Sequence, residues 1–428
     1  MMQDWFLKAK LGIFVHWGIY AVGDVSESWS FHNGVISYED YMKQLDGFTA
    51  AHFDAKAWAD LFRRSGARYA VLTTKHHDGV ALFDTKGSDL SVVKKTPAAR
   101  DLIAEYTEAM REAGLKVGLY FSLIDWSDER YRSIYPEGVR PEDATKDVFG
   151  SPAGGPEDPE RWEAFLAFNE LQMQEILNNY GKVDLIWFDG DWERSAAQWR
   201  AKEIREFLHR QNPDIVINSR LQGYGDYATP EQGIPVRAPK GPFEFCTTIN
   251  ESWGWRPSDL NYKSSRQCIR MFCDVISLGG NLLLDLGPKP DGTIDERYVR
   301  VLEDLGRFIR DHEEAIYETS AGIPASCYGS GSVLSSDRRA LYLFLYDQPS
   351  EFICVKGLRS SIKSISVLHS GQALKWNWTG GAPWNGIPGT LWIKGDEIRM
   401  HDLATVIKLE FEDELDWIDT EGQAVTQN

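Results

Sequence analysis

Cysteine is scarce in this chain, and so are long apolar runs and positive charge. The five cysteines stand far apart, at 246, 268, 273, 327 and 354. Their number is odd and no Cys-x-x-Cys occurs, so neither a disulfide framework nor a cysteine zinc site is indicated. No apolar stretch approaches the ~20 residues of a membrane-spanning helix. The start, Met-Met-Gln-Asp-Trp-Phe, lacks a basic segment followed by an apolar one. No signal peptide is visible, so the expected location is cytoplasmic, or secreted or periplasmic if a leader has been removed. Lys and Arg number 46 against 64 Asp and Glu, a net charge of −18. That imbalance argues against nucleic acid or an anionic membrane surface as partner. No Gly-x-Gly-x-x-Gly follows the first predicted strand, which weakens a dinucleotide reading, and no His-Glu-x-x-His occurs. No cofactor is expected. No internal repeat or low-complexity segment appears, and no pattern specifies an oligomeric state.

What is present is enough for a large core. The chain has 428 residues, 43% of them apolar, which suits a barrel-sized domain followed by a smaller one. Apolar runs that read as buried strands fall at Leu11–Gly18, Arg68–Lys75, Lys116–Leu123, Val183–Asp189, Ile215–Arg220, Phe243–Asn250 and Asn281–Leu286. Amphipathic helical spacing separates most of them, as at Asp54–Ser65, Asp101–Ala113, Arg161–Asn179, Ser264–Leu278 and Asp295–His312. Pro136–Glu160 reads as a surface excursion and Leu221–Gly241 as a loop rich in Gly, Tyr and Pro. The alternation indicates an α/β fold with a parallel sheet, and polar residues at every strand exit favour an irregular (β/α)8-type, TIM-like barrel over residues 1–317. Beyond about 318 the helical period vanishes. Short strand-like runs such as Leu341–Tyr346 and Thr405–Phe411 predict a C-terminal antiparallel β-sandwich over 318–428, an accessory domain.

The most informative stretch is Leu185-Ile186-Trp187-Phe188-Asp189-Gly190-Asp191-Trp192. A buried strand here delivers a carboxylate to its C-terminal end, where the sites of α/β folds lie. Taken alone, Asp189 could equally end the strand or cap the next helix. The other strand exits carry His16, Glu27, Trp29, His76, His77, Tyr120, Arg220, Glu244 and Trp253. Three histidines, three carboxylates, an arginine and several rings suit a small ligand with many hydroxyls, and tryptophan offers a flat face for sugar C–H groups. A divalent-metal site at His76-His77-Asp78 is disfavoured, because neighbours on a strand point to opposite faces. Two carboxylates about 5–5.5 Å apart would instead perform retaining glycoside hydrolysis. Asp189 and Glu244 are expected at the exits of strands two apart, with Arg220 between them to hold Asp189 ionised.

Four segments carry a resemblance: Trp5-Phe6…Lys10–Gly18, Lys75–Gly79, Leu185–Trp192, and Gly279–Pro288 with Asp291-Gly292. In this order they resemble the α-L-fucosidases of glycoside hydrolase family 29. The resemblance covers the whole predicted barrel, and the appended β-domain fits it. It implies an exo-acting, retaining hydrolase that uses no metal and acts on fucosylated oligosaccharides or glycoconjugates. It makes Asp189 the nucleophile and Glu244 the general acid/base, with Glu231 as runner-up. His16, Glu27, Trp29, His76, His77, Tyr120, Trp187, Arg220 and Trp253 become substrate contacts. The chain departs from the pattern twice. Glu27-Ser28-Trp29 replaces an adjacent Glu-Trp pair, and Asp285, read as structural, replaces an asparagine. The competing functions are an exo-α-L-galactosidase of the same fold and a fucose-binding protein without hydrolytic activity.

Overall fold

The computed structural model describes residues 2–131, 158–382, 384 and 386–418. The excursion read at Pro136–Glu160 lies outside the described residues up to 157. Seven strands form one parallel sheet: β1 Leu11–Val15, β2 Tyr69–Lys75, β3 Lys116–Ser122, β4 Leu185–Asp189, β5 Val216–Ile217, β6 Glu244–Thr248 and β7 Asn281–Leu286. Their order is β5-β4-β3-β2-β1-β7-β6. Each strand is apolar on both faces because each is covered twice. On β4, Leu185 and Trp187 pack inside the barrel with Phe14, Tyr69 and Tyr120, while Ile186 and Phe188 pack outward against the helices. The helices begin where their caps stand: the side chains of Asp54, Asp101, Asp158, Ser264 and Asp295 each accept first-turn backbone N–H groups.

The barrel closes irregularly between β5 and β6. β5 spans only Val216–Ile217, not the expected Ile215–Arg220, because the Asn218 side chain takes over the pairing. Its amide accepts from Phe188 N and donates to Phe188 O, both at 2.8 Å. The gap beyond is filled by the segment expected to be a loop. Tyr227 pairs with Asn218, Ala228 with Phe243 and Glu231 with Cys246, all in parallel sense. Cys246 N donates to Pro230 O at 3.1 Å, and Gln232 N donates to Cys246 O at 3.0 Å. Residues 227–231 thus stand where an eighth strand would. Below, the helix Asp4–Ala9 seals the floor, with the Phe6 ring 4.4 Å from that of Tyr227.

The remaining strands are antiparallel. β8 Thr319–Ala321, β9 Ser332–Ser335, β10 Ala340–Leu345, β12 Ile362–Val367 and β15 Thr405–Phe411 make a five-stranded sheet, ordered β12-β15-β10-β9-β8. β11 Phe352–Val355, β14 Thr390–Lys394 and β13 Trp376–Thr379 make a second sheet of three. The two sheets enclose their own apolar core, including Leu343, Ile353, Leu391 and Leu409. The fold is a TIM-like barrel with a C-terminal β-sandwich. No helix of the described residues is long and apolar enough to cross a membrane.

Candidate active site

Asp189 is the last residue of β4, and its backbone oxygen accepts from Leu123 N at 2.8 Å. Gly190 follows with φ 82°, and a Cβ there would lie 2.7 Å from Ile124 Cγ1, so the chain turns as only glycine allows. The carboxylate is held from two sides. Tyr120 Oη donates to Oδ2 at 2.9 Å, and Arg220 Nη1 donates to Oδ1 at 2.7 Å. Burial raises the Asp189 pKa, but the Arg220 charge, with the hydrogen bonds from Arg220 and Tyr120, outweighs it. The carboxyl therefore sits below the usual range and is ionised. Trp187 lies beneath, its ring 4.5 Å from the Arg220 guanidinium and stacked 5.7 Å from Tyr120. Asp191 serves the loop: its Oδ2 accepts from Gln222 N at 2.7 Å, which braces the turn carrying Arg220.

Three histidines line the opposite wall. β2 ends at Lys75, so His76 and His77 lie in a turn and not on a strand. The opposite orientation expected of strand neighbours does not occur, and their rings lie on one side, 4.3 Å apart. Backbone bonds fix the turn, from Gly79 N to His76 O at 3.1 Å and from Trp126 N to His77 O at 2.8 Å. His77 Nδ1 is 2.6 Å from Ser122 Oγ, and that hydroxyl donates to Ile124 O at 2.6 Å. The hydroxyl hydrogen being spent, Nδ1 must be the donor, and Nε2 presents a lone pair. Nε2 is buried without a partner, 3.7 Å from Asp189 Oδ2. Burial pushes the His77 pKa down to about 4 and that of His76 well down. Both rings are neutral at pH 7. His16 follows β1, and its Nδ1 lies 2.6 Å from Asp285 Oδ1. Ser28, the residue that separates Glu27 from Trp29, bonds His76 Nδ1 through its hydroxyl.

The rim is aromatic. Trp253 packs 4.9 Å from His16 and 6.1 Å from Phe14. Trp29 stacks 6.0 Å from the exposed Trp192 and lies 5.8 Å edge-on to His77. The Glu27 carboxylate accepts from Gly254 N at 2.5 Å, which ties the loop after β1 to the Trp253 loop.

The two candidate acids stand at different levels of the barrel. Glu244 does not stand at a strand exit, as expected, but opens β6 at the opposite end. It is 0% exposed, and it accepts from Trp187 Nε1 at 2.9 Å, Tyr227 Oη at 3.2 Å and the Tyr69 hydroxyl. All its neighbours are side chains of the barrel floor, and burial pushes its pKa up to about 7. Glu231, on the segment that closes the barrel, bonds the second terminal nitrogen of Arg220. Its side chain is 35% exposed. One guanidinium therefore joins Asp189 and Glu231. Sequence reasoning did not place Glu231 beside Arg220, because residues 221–241 have no strand pattern, and it missed Asp285, Ser28 and Ser122 as partners of the histidines.

His76, His77 and Asp189 bring ligand atoms within 4.8 Å of one another. Arg220 already neutralises the carboxylate there, so a metal ion would compete with a guanidinium. The arrangement suits a neutral ligand with several hydroxyls: lone pairs and N–H groups on one wall, rings on another, and an ionised carboxylate beneath.

A family model described as alpha-L-fucosidase matches residues 1–314. The tissue alpha-L-fucosidase of Homo sapiens is 31% identical over 346 residues, 74% of this chain and 69% of that protein. The structure of alpha-L-fucosidase isoenzyme 1 from Paenibacillus thiaminolyticus superposes with a TM-score of 0.84 at 32% identity, covering 96% of this chain and 98% of that one. A Thermotoga maritima alpha-fucosidase does so with a TM-score of 0.74 at 26% identity, covering 95% and 96%. With the barrel, the appended sandwich and the strand-exit cluster in place, the chain belongs to the α-L-fucosidase family, glycoside hydrolase family 29.

Proposed function

We propose that this chain hydrolyses terminal α-L-fucosyl residues of oligosaccharides or glycoconjugates by retaining double displacement, with Asp189 as nucleophile and Glu231 as general acid/base. The observation that carries the reading is the Arg220 fork, which binds Asp189 through one terminal nitrogen and Glu231 through the other. A retaining pair needs carboxyls about 5–5.5 Å apart, one of them ionised. Asp189 is ionised by Arg220 and buried at the strand end, while Glu231 reaches the same point from the exposed side. Glu244 cannot share this role from the floor, where its carboxyl is wholly covered. The Thermotoga maritima relative was solved in complex with a mechanism based inhibitor, which agrees with catalysis on this fold.

In the first step Asp189 forms a bond to the anomeric carbon as the bond to the leaving oxygen breaks, and Glu231 gives that oxygen its proton. In the second, Glu231 takes a proton from water, the water oxygen bonds to the anomeric carbon, and the ester to Asp189 breaks. His16, His76 and His77 bind sugar hydroxyls, and Phe14 and Trp253 offer an apolar wall to the C5 methyl. The reading calls on no cofactor.

Aryl α-L-fucosides test it. Asp189→Ala loses turnover, and azide restores it with inverted fucosyl azide as product. Glu231→Ala loses about 10²–10⁴-fold on poor leaving groups and far less on dinitrophenyl fucoside, and azide gives the retained product. A wild-type enzyme that cleaves neither aryl fucoside nor aryl L-galactoside ends the hydrolase reading. Azide rescue at Glu244→Ala instead of Glu231→Ala would move the acid/base role back to Glu244.

A further inference from the structure

His16 differs from His76 and His77 in having a carboxylate of its own. Asp285 is the fifth residue of β7, paired with Phe14 of β1 on one side and Thr248 of β6 on the other. It is 0% exposed, its Oδ1 lies 2.6 Å from His16 Nδ1, and its Oδ2 has no hydrogen-bond partner. While the His16–Asp285 pair holds two protons it has two arrangements. The carboxylate is ionised against an imidazolium, or it is protonated and gives its hydrogen to a neutral ring at Nδ1. Both states hold the same number of protons, and both leave a hydrogen on Nε2. That nitrogen has no hydrogen bond among the described residues. The ring stands 6.0 Å from the His76 ring and 5.7 Å from Tyr120, within the site.

We infer that Asp285 and His16 form a proton-holding dyad that keeps a hydrogen on His16 Nε2, making His16 the fixed donor to a sugar oxygen and Asp285 the positioning residue behind it. His77 has the opposite polarity, because the Ser122 hydroxyl fixes its Nε2 as an acceptor. The site thus meets the sugar's hydroxyls with one histidine that gives and one that receives. The assignment of the ligand as a sugar rests on the proposed function; the dyad itself does not.

The groups facing His16 support the dyad. Glu27 from the loop after β1 and Asp189 from β4 favour its proton. The neutral rings of His76 and His77 and the un-ionised hydroxyls of Tyr20 and Tyr120 add no charge. Burial pulls the His16 pKa down, but Asp285, Glu27 and Asp189 outweigh it, and the net direction is upward. As pH rises through that raised value, the dyad releases one proton to solvent. Nδ1–H then faces the carboxylate and Nε2 is left with a lone pair. The donor becomes an acceptor, and the sugar hydroxyl must turn its own hydrogen to Nε2, a neutral bond in place of a charge-assisted one. An asparagine at 285 behaves differently: its amide can donate to Nδ1 of the neutral ring, so that Nε2 keeps its hydrogen both above and below the pKa.

The test uses wild type and Asp285→Asn. Histidine side-chain NMR of the ligand-free protein, assigned with His16→Gln, gives the titration of His16 directly. The pH profile of kcat/KM is measured on dinitrophenyl fucoside, whose departure needs no general acid, so that Glu231 does not shape the alkaline limb. In wild type, His16 titrates above about 6.5, and kcat/KM falls about tenfold through the same pH, the worth of one charge-assisted bond over a neutral one. In Asp285→Asn, His16 titrates below about 6.5 and the alkaline fall disappears. A merely structural Asp285 would lower thermal stability and leave the limb in place. The inference is overturned if His16 of wild type titrates at or below about 6.5, or if Asp285→Asn keeps the wild-type alkaline limb. Failure to cleave fucosides would overturn the proposed function and leave the titration result standing.

Discussion

Replacing Glu244 by glutamine separates a floor residue from a catalytic one. The Glu244 carboxyl is wholly buried under the Trp187 indole and between two tyrosine hydroxyls, and burial pushes its pKa to about 7 from the ordinary 4.5 of a glutamate. Between those two values the folded protein keeps a proton that the unfolded chain has released. The associated stability is complete below pH about 4.5 and is lost as pH rises through about 7. A shift of this size is worth on the order of 3 kcal/mol. Unfolding entropy near 2.1 cal/mol/K per residue amounts to about 0.9 kcal/mol/K for this chain, so the loss corresponds to about 3 °C in Tm. Glutamine does not titrate there. It still offers an oxygen to Trp187 and Tyr227, and its amide can donate to a rotated Tyr69 hydroxyl. Calorimetry at pH 5 and pH 8 should show the Tm of Glu244→Gln, relative to wild type, rising by about 3 °C between the two. Other titrating groups cancel in that difference. Turnover of phenyl fucoside should stay within a few-fold of wild type. A Tm difference that does not change with pH, or a loss of about 10²-fold or more in turnover, would refute the reasoning.

Ser122→Ala removes the acceptor that fixes the His77 ring, leaving Nδ1–H and Ile124 O without partners. Steady-state kinetics should show KM raised about tenfold with kcat changed less, and chemical denaturation a loss of about 1–3 kcal/mol. Arg220→Lys replaces a fork by a single ammonium that cannot serve Asp189 and Glu231 together. Since Arg220 holds the Asp189 pKa down, the acid limb of kcat/KM should move to higher pH, and the maximum should fall by about 10²-fold. Gly190→Ala forces a side chain onto a φ of 82° and against Ile124. Stability should drop by about 1–3 kcal/mol, and activity should fall further than stability explains because Asp189 is the preceding residue.

The barrel was legible because its strands are buried on both faces and read as apolar runs, and because helices with carboxylate or serine caps separate them. Asp189 was legible as the end of such a run. Glu244 was misplaced because apolar residues flank it on both sides, so Pro242-Phe243-Glu244-Phe245 does not reveal which end of the strand it occupies. His76 and His77 came together because both lie past the end of β2 at Lys75, in a turn set by the bonds from Gly79 and Trp126, and strand alternation does not apply to them. The place of Glu231 beside Arg220 was not legible because its segment pairs through only a few non-local bridges, which leave no periodic trace. In the sandwich, β8 and β9 are short and β13 is exposed along its whole length, so none shows alternation.

The closure at residues 227–231 gives the two acids of the proposed mechanism unequal freedom to vary. Asp189 is set by β4, paired on both sides and backed by helices, so a change of length near it would shift a whole strand. Glu231 hangs on a handful of bridges to β6, with connections on either side that can lengthen at a cost growing only logarithmically. Insertions there could redirect the proton donor toward a different leaving group while the nucleophile stays in place. Linkage preference and bond-breaking chemistry are thus open to change separately, on two neighbouring walls of one barrel.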